Sequence, residues 1–163
     1  MISIVLVTTA TTTAIMAGLF FAWSFSVTTG LAKLSNIEYI RAFQAMNRAI
    51  LNPFFFICFF GTAILLPFSA FLYYQQHPSL RFWFLIIASA LYLIGVIGVT
   101  MVGNVPLNES LDAFNSQIAA AQEITSQRQQ FEGNWNKMNN IRTVASALCI
   151  ISVIIACVLP NDT

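Results

Sequence analysis

Four long apolar runs constrain the fold of this chain more than any other feature. They cover residues 2–28, 50–74, 82–102 and 143–159. A helix rises about 1.5 Å per residue, so roughly 20 residues cross a hydrocarbon core of about 30 Å. Only 8% of the 163 residues are charged, against about 25% in soluble proteins. The sequence therefore predicts an all-α, four-transmembrane-helix bundle forming a single integral membrane domain over residues 1–163.

The basic residues predict the orientation of this bundle. Six of the seven flank or occupy the first and third connections: Lys33, Arg41, Arg48, Arg128, Lys137 and Arg142. Basic loops stay in the cytoplasm, so we expect the two long connections there and both termini outside. The membrane would be the plasma (inner) membrane if the source is bacterial. No basic region precedes the first run, which is too long for a signal peptide, so it is expected to remain as a helix.

Local patterns predict amphipathic helical segments in both cytoplasmic connections. Ser35 and Glu38 fit a capping box at a helix start, and Asn52-Pro53 predicts a helix boundary or a kink. Pro106 is expected to end the third span, and an amphipathic helix would follow from Leu107. Another helix is predicted from about Phe131, and it would continue into the fourth span.

Small residues predict where the helices pack closely. The first span places Ala10, Ala14, Gly18 and Ala22 four residues apart, a pattern that allows a neighbouring helix to approach in lipid. Glycines in the third span predict similar close contact.

Asparagines are concentrated at one end of the predicted bundle. Asn47, Asn52, Asn104, Asn108, Asn134, Asn136, Asn139 and Asn140 all fall on the cytoplasmic side. Trp135, Asn139 and Arg142 share one helix face there. Amides at the mouth of a bundle need partners, so a network with Arg48 and Arg142 is expected. Such a network either joins helix ends or forms a pocket, and the pattern leaves both readings open.

The types of residue present, and their positions, argue against several functional classes. No acidic residue lies in a span, which argues against proton-coupled transport. A net charge of +1 argues against a nucleic-acid partner. No grouping of His and Cys predicts a metal or haem site. Three cysteines in the spans are interpreted as packing residues, and the single histidine, His77, as a solvated turn residue.

Four blocks of the sequence carry a family resemblance. They are GLFFAWSFSVTTGLAKL, AFQAMNRAILNPFFF, GNVPLNESLDAF and WNKMNNIRTVASALC. Together they resemble a family of small four-span membrane proteins of unknown function that includes the fungal anthrone oxygenases. The N-x-P-x-N element followed by W-x3-N-x2-R is the most specific part. Fungal relatives oxidise an anthrone methylene to a quinone, and most bacterial members have no assigned substrate.

The resemblance implies a cofactor-independent monooxygenase that holds a flat phenolic anion while it reacts with dioxygen. The residues assigned to catalysis on this basis are Arg48, Arg142 and Asn104. Those assigned to substrate binding are Asn52, Asn108, Trp135 and Asn139. Glu109 or Asp112 is the candidate base. The expected partners are the lipid bilayer and a hydrophobic aromatic molecule, and a homo-oligomer is compatible with the sequence. The alternative is a non-enzymatic structural, lipid-binding or assembly protein.

Overall fold

The structure, a computed structural model, describes residues 2–74 and 79–160, and these form helices without any strand. The helices are α1 (Ser3–Leu31), α2 (Asn36–Ile50), α3 (Pro53–Tyr74), α4 (Leu80–Ala113) and α5 (Ala121–Val158). All except α2 are long and apolar enough to cross a membrane. The predicted four-span, all-α class is confirmed. His77 lies outside the described residues.

The four long helices pack in a ring, in which α1 contacts α3 and α5, and α4 contacts α3 and α5. At one end the Thr9 hydroxyl lies 2.9 Å from that of Ser69, and the Arg81 guanidinium donates to the Leu159 carbonyl. The first turns of α1 and α4 therefore meet the last turns of α3 and α5. The opposite end, which carries α2 and the first half of α5, is called here the α2 end.

A capping box begins α2, as the sequence predicts. The Ser35 backbone N–H donates to Glu38 Oε2 at 3.1 Å. Hydrogen bonds from the Ser35 hydroxyl and backbone hold the pKa of the Glu38 carboxyl below its usual value. The helix ends at Ile50 and α3 begins at Pro53, which confirms the boundary predicted at Asn52-Pro53.

Arg128 ties the α1–α2 connection to α5. Its guanidinium donates to the carbonyls of Leu34 at 2.8 Å and Ala32 at 3.0 Å. It also lies 4.4 Å from the centre of the Tyr39 ring. These contacts hold α2 across the end of the bundle.

The helix that contains the third span continues past Pro106, where the sequence predicts an end. A π-helical segment, Thr100–Asn104, precedes the proline, and the Val105 N–H donates to the Thr100 carbonyl five residues back. Proline lacks an N–H and sits in the first turn of the next α-helical segment, where that loss is tolerated. The helix continues to Ala113.

The connection after α4 also differs from the prediction. Beyond Ala113 the chain leaves the helix, and Ile118 is exposed instead of completing an amphipathic face. The final helix starts at Ala121, ten residues before the predicted start at Phe131.

The small-residue stripe on α1 does not face a neighbouring helix. Ala14, Gly18 and Ala22 are exposed, and a Cβ added at Gly18 would meet nothing within 4 Å. Close packing occurs between α4 and α5 instead. A Cβ on Gly95 would lie 2.5 Å from the Ala145 Cβ, so this glycine lets the two helices approach.

Candidate functional site

An aromatic cavity of about 140 Å³ lies inside the α2 end and is lined by all five helices. Its aromatic lining consists of Phe20, Trp23, Phe43, Phe55, Phe56, Phe59, Phe60 and Trp135. An apolar cavity of similar volume holds one benzene ring. Its polar lining consists of Asn47, Thr100, Asn108 and Arg142. The cavity is therefore an apolar pocket with few polar groups, as is typical of small-molecule sites.

Arg142 is the only charged residue that lines this cavity in the described chain, and it is 7% exposed. Its guanidinium donates to Asn139 Oδ1 at 2.7 Å and to Thr100 Oγ1 at 3.3 Å. It also lies 4.6 Å from the centre of the Phe20 ring and 5.5 Å from that of Trp135. The cation is thus held in place by amide, hydroxyl and aromatic groups.

No carboxylate of the described residues neutralises Arg142. Within residues 2–74 and 79–160 the ion pairs are Arg48 with Asp112 and Arg128 with Glu132. A buried cation without a counter-ion is costly to maintain, and ionisable groups inside a membrane bundle usually mark a functional site. The geometry suits an anionic group of a ligand in the cavity.

Asn139 positions Arg142 without lining the cavity itself. Its Nδ2 donates to Ser24 Oγ at 2.8 Å and to the Phe20 carbonyl at 3.4 Å. These bonds turn its Oδ1 towards Arg142. The residue is 1% exposed, so the contact is shielded from water.

Trp135 and Asn108 form the cavity wall next to Arg142. The Trp135 Nε1–H donates to Asn108 Oδ1 at 2.8 Å. An indole N–H can only donate, so this bond fixes the orientation of the Asn108 amide. The Trp135 ring packs against Phe43 at 4.8 Å and Trp23 at 5.2 Å between centres.

Two π-helical segments bring residues to the cavity that sequence periodicity missed. One covers Trp23–Val27 and supplies Trp23, and the other covers Thr100–Asn104 and supplies Thr100. A π turn inserts an extra residue and changes which side chains face inward, and such turns are frequent at functional sites. Neither residue was assigned to the site from the sequence, because apolar spacing carries no signal for this shift.

Four of the seven sequence-assigned site residues do not line the cavity: Arg48, Asn52, Asn104 and Asn139. Arg48 is exposed and its Nε lies 2.7 Å from Asp112 Oδ1. Asn52 caps α3, since its Oδ1 accepts the Phe55 N–H at 3.0 Å and its Nδ2 donates to the Ala49 carbonyl. The sequence predicts one network that includes Arg48, Asn52 and Arg142. The structure contradicts this prediction, because Arg48 and Asn52 bind other partners.

Asn104 is completely buried but does not line the cavity. Neither its Oδ1 nor its Nδ2 has a hydrogen-bond partner among the described residues. Unsatisfied amides of this kind destabilise a fold by about 1–3 kcal/mol. Its position gives no direct contact with a ligand in the cavity.

The two candidate bases are also outside the cavity. Glu109 is exposed and lines an adjoining groove, and Asp112 is paired with Arg48. No acidic, histidine or lysine side chain of the described chain lines the cavity. In the same residues, no group of three or more His, Cys, Asp or Glu is placed to hold a metal ion.

One family model matches the chain. It is described as anthrone oxygenase and covers residues 55–152, more than half of the sequence. The matched part contains all of α3 except its first two residues, all of α4, and the segment of α5 that carries Trp135, Asn139 and Arg142. No curated protein and no solved structure matches.

Proposed function

Because the chain belongs to the anthrone oxygenase family, we propose that it is an integral membrane oxygenase acting on a flat, hydrophobic phenol of the anthrone type. The observation that carries this proposal is the buried Arg142, which lies in an aromatic cavity without a carboxylate partner in the described part of the chain. The substrate class that fits is one that is aromatic, lipophilic and able to form an oxyanion.

Arg142 would stabilise the enolate that forms when the substrate methylene loses a proton. A nearby cation favours the ionised form of an acid, and a preorganised donor in a water-poor site stabilises developing negative charge. The carbanion form then bonds to dioxygen, the peroxide anion takes up a proton, and loss of water from this hydroperoxide leaves a carbonyl. The methylene carbon loses four electrons and dioxygen gains them, so the net products are a quinone and water.

The proton acceptor in this scheme is water in the groove that adjoins the cavity. Glu109 and Asp112 do not line the cavity, so neither is assigned as a base. Arg142 instead makes the enol acidic enough to ionise near neutral pH. The reaction should therefore become faster with rising pH until the bound enol is fully ionised.

The cavity mouth supports a substrate that arrives from the bilayer. Phe56 and Phe60 on α3 and Met101 on α4 line the cavity and are 40%, 47% and 55% exposed. Exposed apolar side chains on spanning helices face hydrocarbon. A tricyclic substrate is larger than the one ring that the cavity holds, and it would extend through this opening.

The non-enzymatic alternative has one specific observation in its favour. Ser24 and Thr143 are joined hydroxyl to hydroxyl at 2.8 Å, and Asn139 donates to Ser24. These bonds connect α1 to α5 at the α2 end, so part of the polar cluster does join helices. Variants of Arg142 separate the two functions, because Arg142 makes no ion pair within residues 2–74 and 79–160.

Oxygen uptake by the purified protein tests the proposed function. The protein in detergent or lipid nanodiscs is mixed with a panel of anthrones, without added metal or flavin, in an oxygen electrode. We expect uptake above the spontaneous rate and a matching yield of quinone. Uptake at the spontaneous rate for the entire panel would contradict the proposal.

We also propose that the α2 end faces the cytoplasm. Six of the seven basic residues belong to this end, whereas Arg81 lies at the other, as the positive-inside rule requires. Alkaline phosphatase fused to the C-terminus in a bacterial host should then be active, and green fluorescent protein at the same place should be dark. A fluorescent protein fusion that is bright and a phosphatase fusion that is inactive would indicate the opposite orientation.

A further inference from the structure

A polar groove of about 360 Å³ adjoins the aromatic cavity. The two spaces share four lining residues: Asn47, Leu51, Val105 and Asn108. Glu109 and Asp112 line the groove but not the cavity. A ligand in the cavity can therefore continue past the shared residues into a space with different chemistry.

The two amides at this junction have free hydrogen-bonding groups. Asn47 is half-buried, and its side chain makes no hydrogen bond within residues 2–74 and 79–160. Asn108 uses its Oδ1 to accept the Trp135 N–H, and this leaves its Nδ2 group to donate elsewhere. Two amide donors and one amide acceptor thus surround the passage from the cavity to the groove.

The charge of the groove selects against an anion. The Asp112 carboxylate is neutralised by Arg48 at 2.7 Å. Glu109 is exposed and makes no ion pair in the described part of the chain. The groove therefore carries a net negative charge, while the cavity beside it carries the positive charge of Arg142.

We infer that the substrate carries a neutral, hydrogen-bonding arm, which leaves the aromatic cavity between Asn47 and Asn108 and lies in the polar groove. This inference rests on the proposed function and names the substrate class more closely. The ring that becomes an oxyanion binds beside Arg142, and a hydroxylated or amide substituent binds at the junction. A carboxylate in the same place would be repelled by Glu109.

Three probes test the inference: unsubstituted anthrone, an anthrone with a hydroxyethyl arm and one with a carboxymethyl arm. Binding is measured by quenching of tryptophan fluorescence, and kcat/KM is measured by oxygen uptake. One hydrogen bond gives about a three- to ten-fold gain in affinity. We therefore expect the hydroxyethyl probe to bind about three- to ten-fold more tightly than unsubstituted anthrone.

Asn47→Leu should reduce this preference to about one-fold, because leucine has a similar size and cannot form a hydrogen bond. Asn140→Leu is the matched control, since Asn140 is exposed on α5 and lines neither space. The control should keep the full preference. Thermal melting of each variant verifies that the fold is retained.

Glu109→Gln supplies an independent test that does not depend on a buried position. Removing one exposed charge should improve binding of the carboxymethyl probe about two- to five-fold relative to the hydroxyethyl probe. In the unaltered protein, high salt should reduce the difference in affinity between the carboxymethyl and hydroxyethyl probes.

Equal binding of the hydroxyethyl and unsubstituted probes would overturn the inference, as would a preference that survives Asn47→Leu. Oxygen uptake without any preference for the hydroxyethyl probe would contradict only the inference about the arm, and the proposed oxygenase function would still hold. Selective binding without oxygen uptake would do the reverse, because it would support the arm and contradict the oxygenase.

Discussion

Replacing Arg142 with methionine is expected to lower kcat/KM for anthrone oxidation about 100- to 1,000-fold while the protein remains folded. The guanidinium is the only charge in the cavity among the described residues. Methionine fills a similar volume and removes a buried cation that no carboxylate of the described residues neutralises, so the variant avoids the cost of burying that charge. Oxygen uptake and thermal melting of the same preparation measure the two effects.

Arg48→Met is the matched control for this substitution. Arg48 has a side chain that is 65% exposed and lies outside the cavity, so its loss should change activity much less. Arg142→Lys keeps a positive charge and should recover part of the rate. The contrary result is a melting temperature of Arg142→Met far below that of the unaltered protein, with activity lost only in proportion to the loss of folded protein. That result would favour the helix-joining role.

Gly95→Ala is expected to destabilise the protein by about 1–3 kcal/mol, the usual range for overpacking. The added Cβ would lie 2.5 Å from the Ala145 Cβ and 3.9 Å from the Ala145 Cα. Because these atoms belong to the packed α4–α5 interface, the helices must separate to admit the methyl group. Unfolding in mixed detergent micelles measures the free energy.

Gly18→Ala is the control for the intrinsic effect of the same change. A Cβ at Gly18 meets nothing within 4 Å, so alanine should stabilise the helix by about 0.5–1 kcal/mol. The double variant Gly95→Ala with Ala145→Gly should recover much of the lost stability. Similar effects at Gly95 and Gly18 would contradict the close approach of α4 and α5.

The features that could be predicted are those that a short stretch of sequence determines. Apolar length identifies the four spans, the Ser35–Glu38 pair identifies the start of α2, and Asn52-Pro53 identifies the boundary after it. The spacing of Trp135 and Arg142 places both on one face, and both reach the cavity. These predictions depend on helical geometry and local hydrogen bonding, which the sequence displays directly.

The cavity itself depends on features that hydropathy does not distinguish. Phe54 is 72% exposed, whereas its neighbour Phe55 lines the cavity. Both are equally apolar, so composition cannot separate a side chain facing lipid from one facing a ligand. The π turn before Pro106 is likewise not visible in the sequence pattern. It lets the helix continue where the proline alone indicated an end.

Polar residues were grouped correctly by bundle end but not by partner. Arg48 and Arg142 share that end, yet Arg48 pairs with Asp112 on the surface and Arg142 turns inward to Asn139. The choice depends on which side of each helix faces its neighbours, and this follows from packing of the entire bundle.

The proposed role of Arg142 and the aromatic cavity is to support the addition of dioxygen to a phenolic carbanion. Its most direct test is the oxygen-uptake experiment run under ¹⁸O-labelled dioxygen, with mass spectrometry of the quinone. We expect one labelled oxygen atom in each quinone formed above the spontaneous rate, and a loss of that labelled product with Arg142→Met. Label-free quinone, or equal yields with and without the protein, would contradict it.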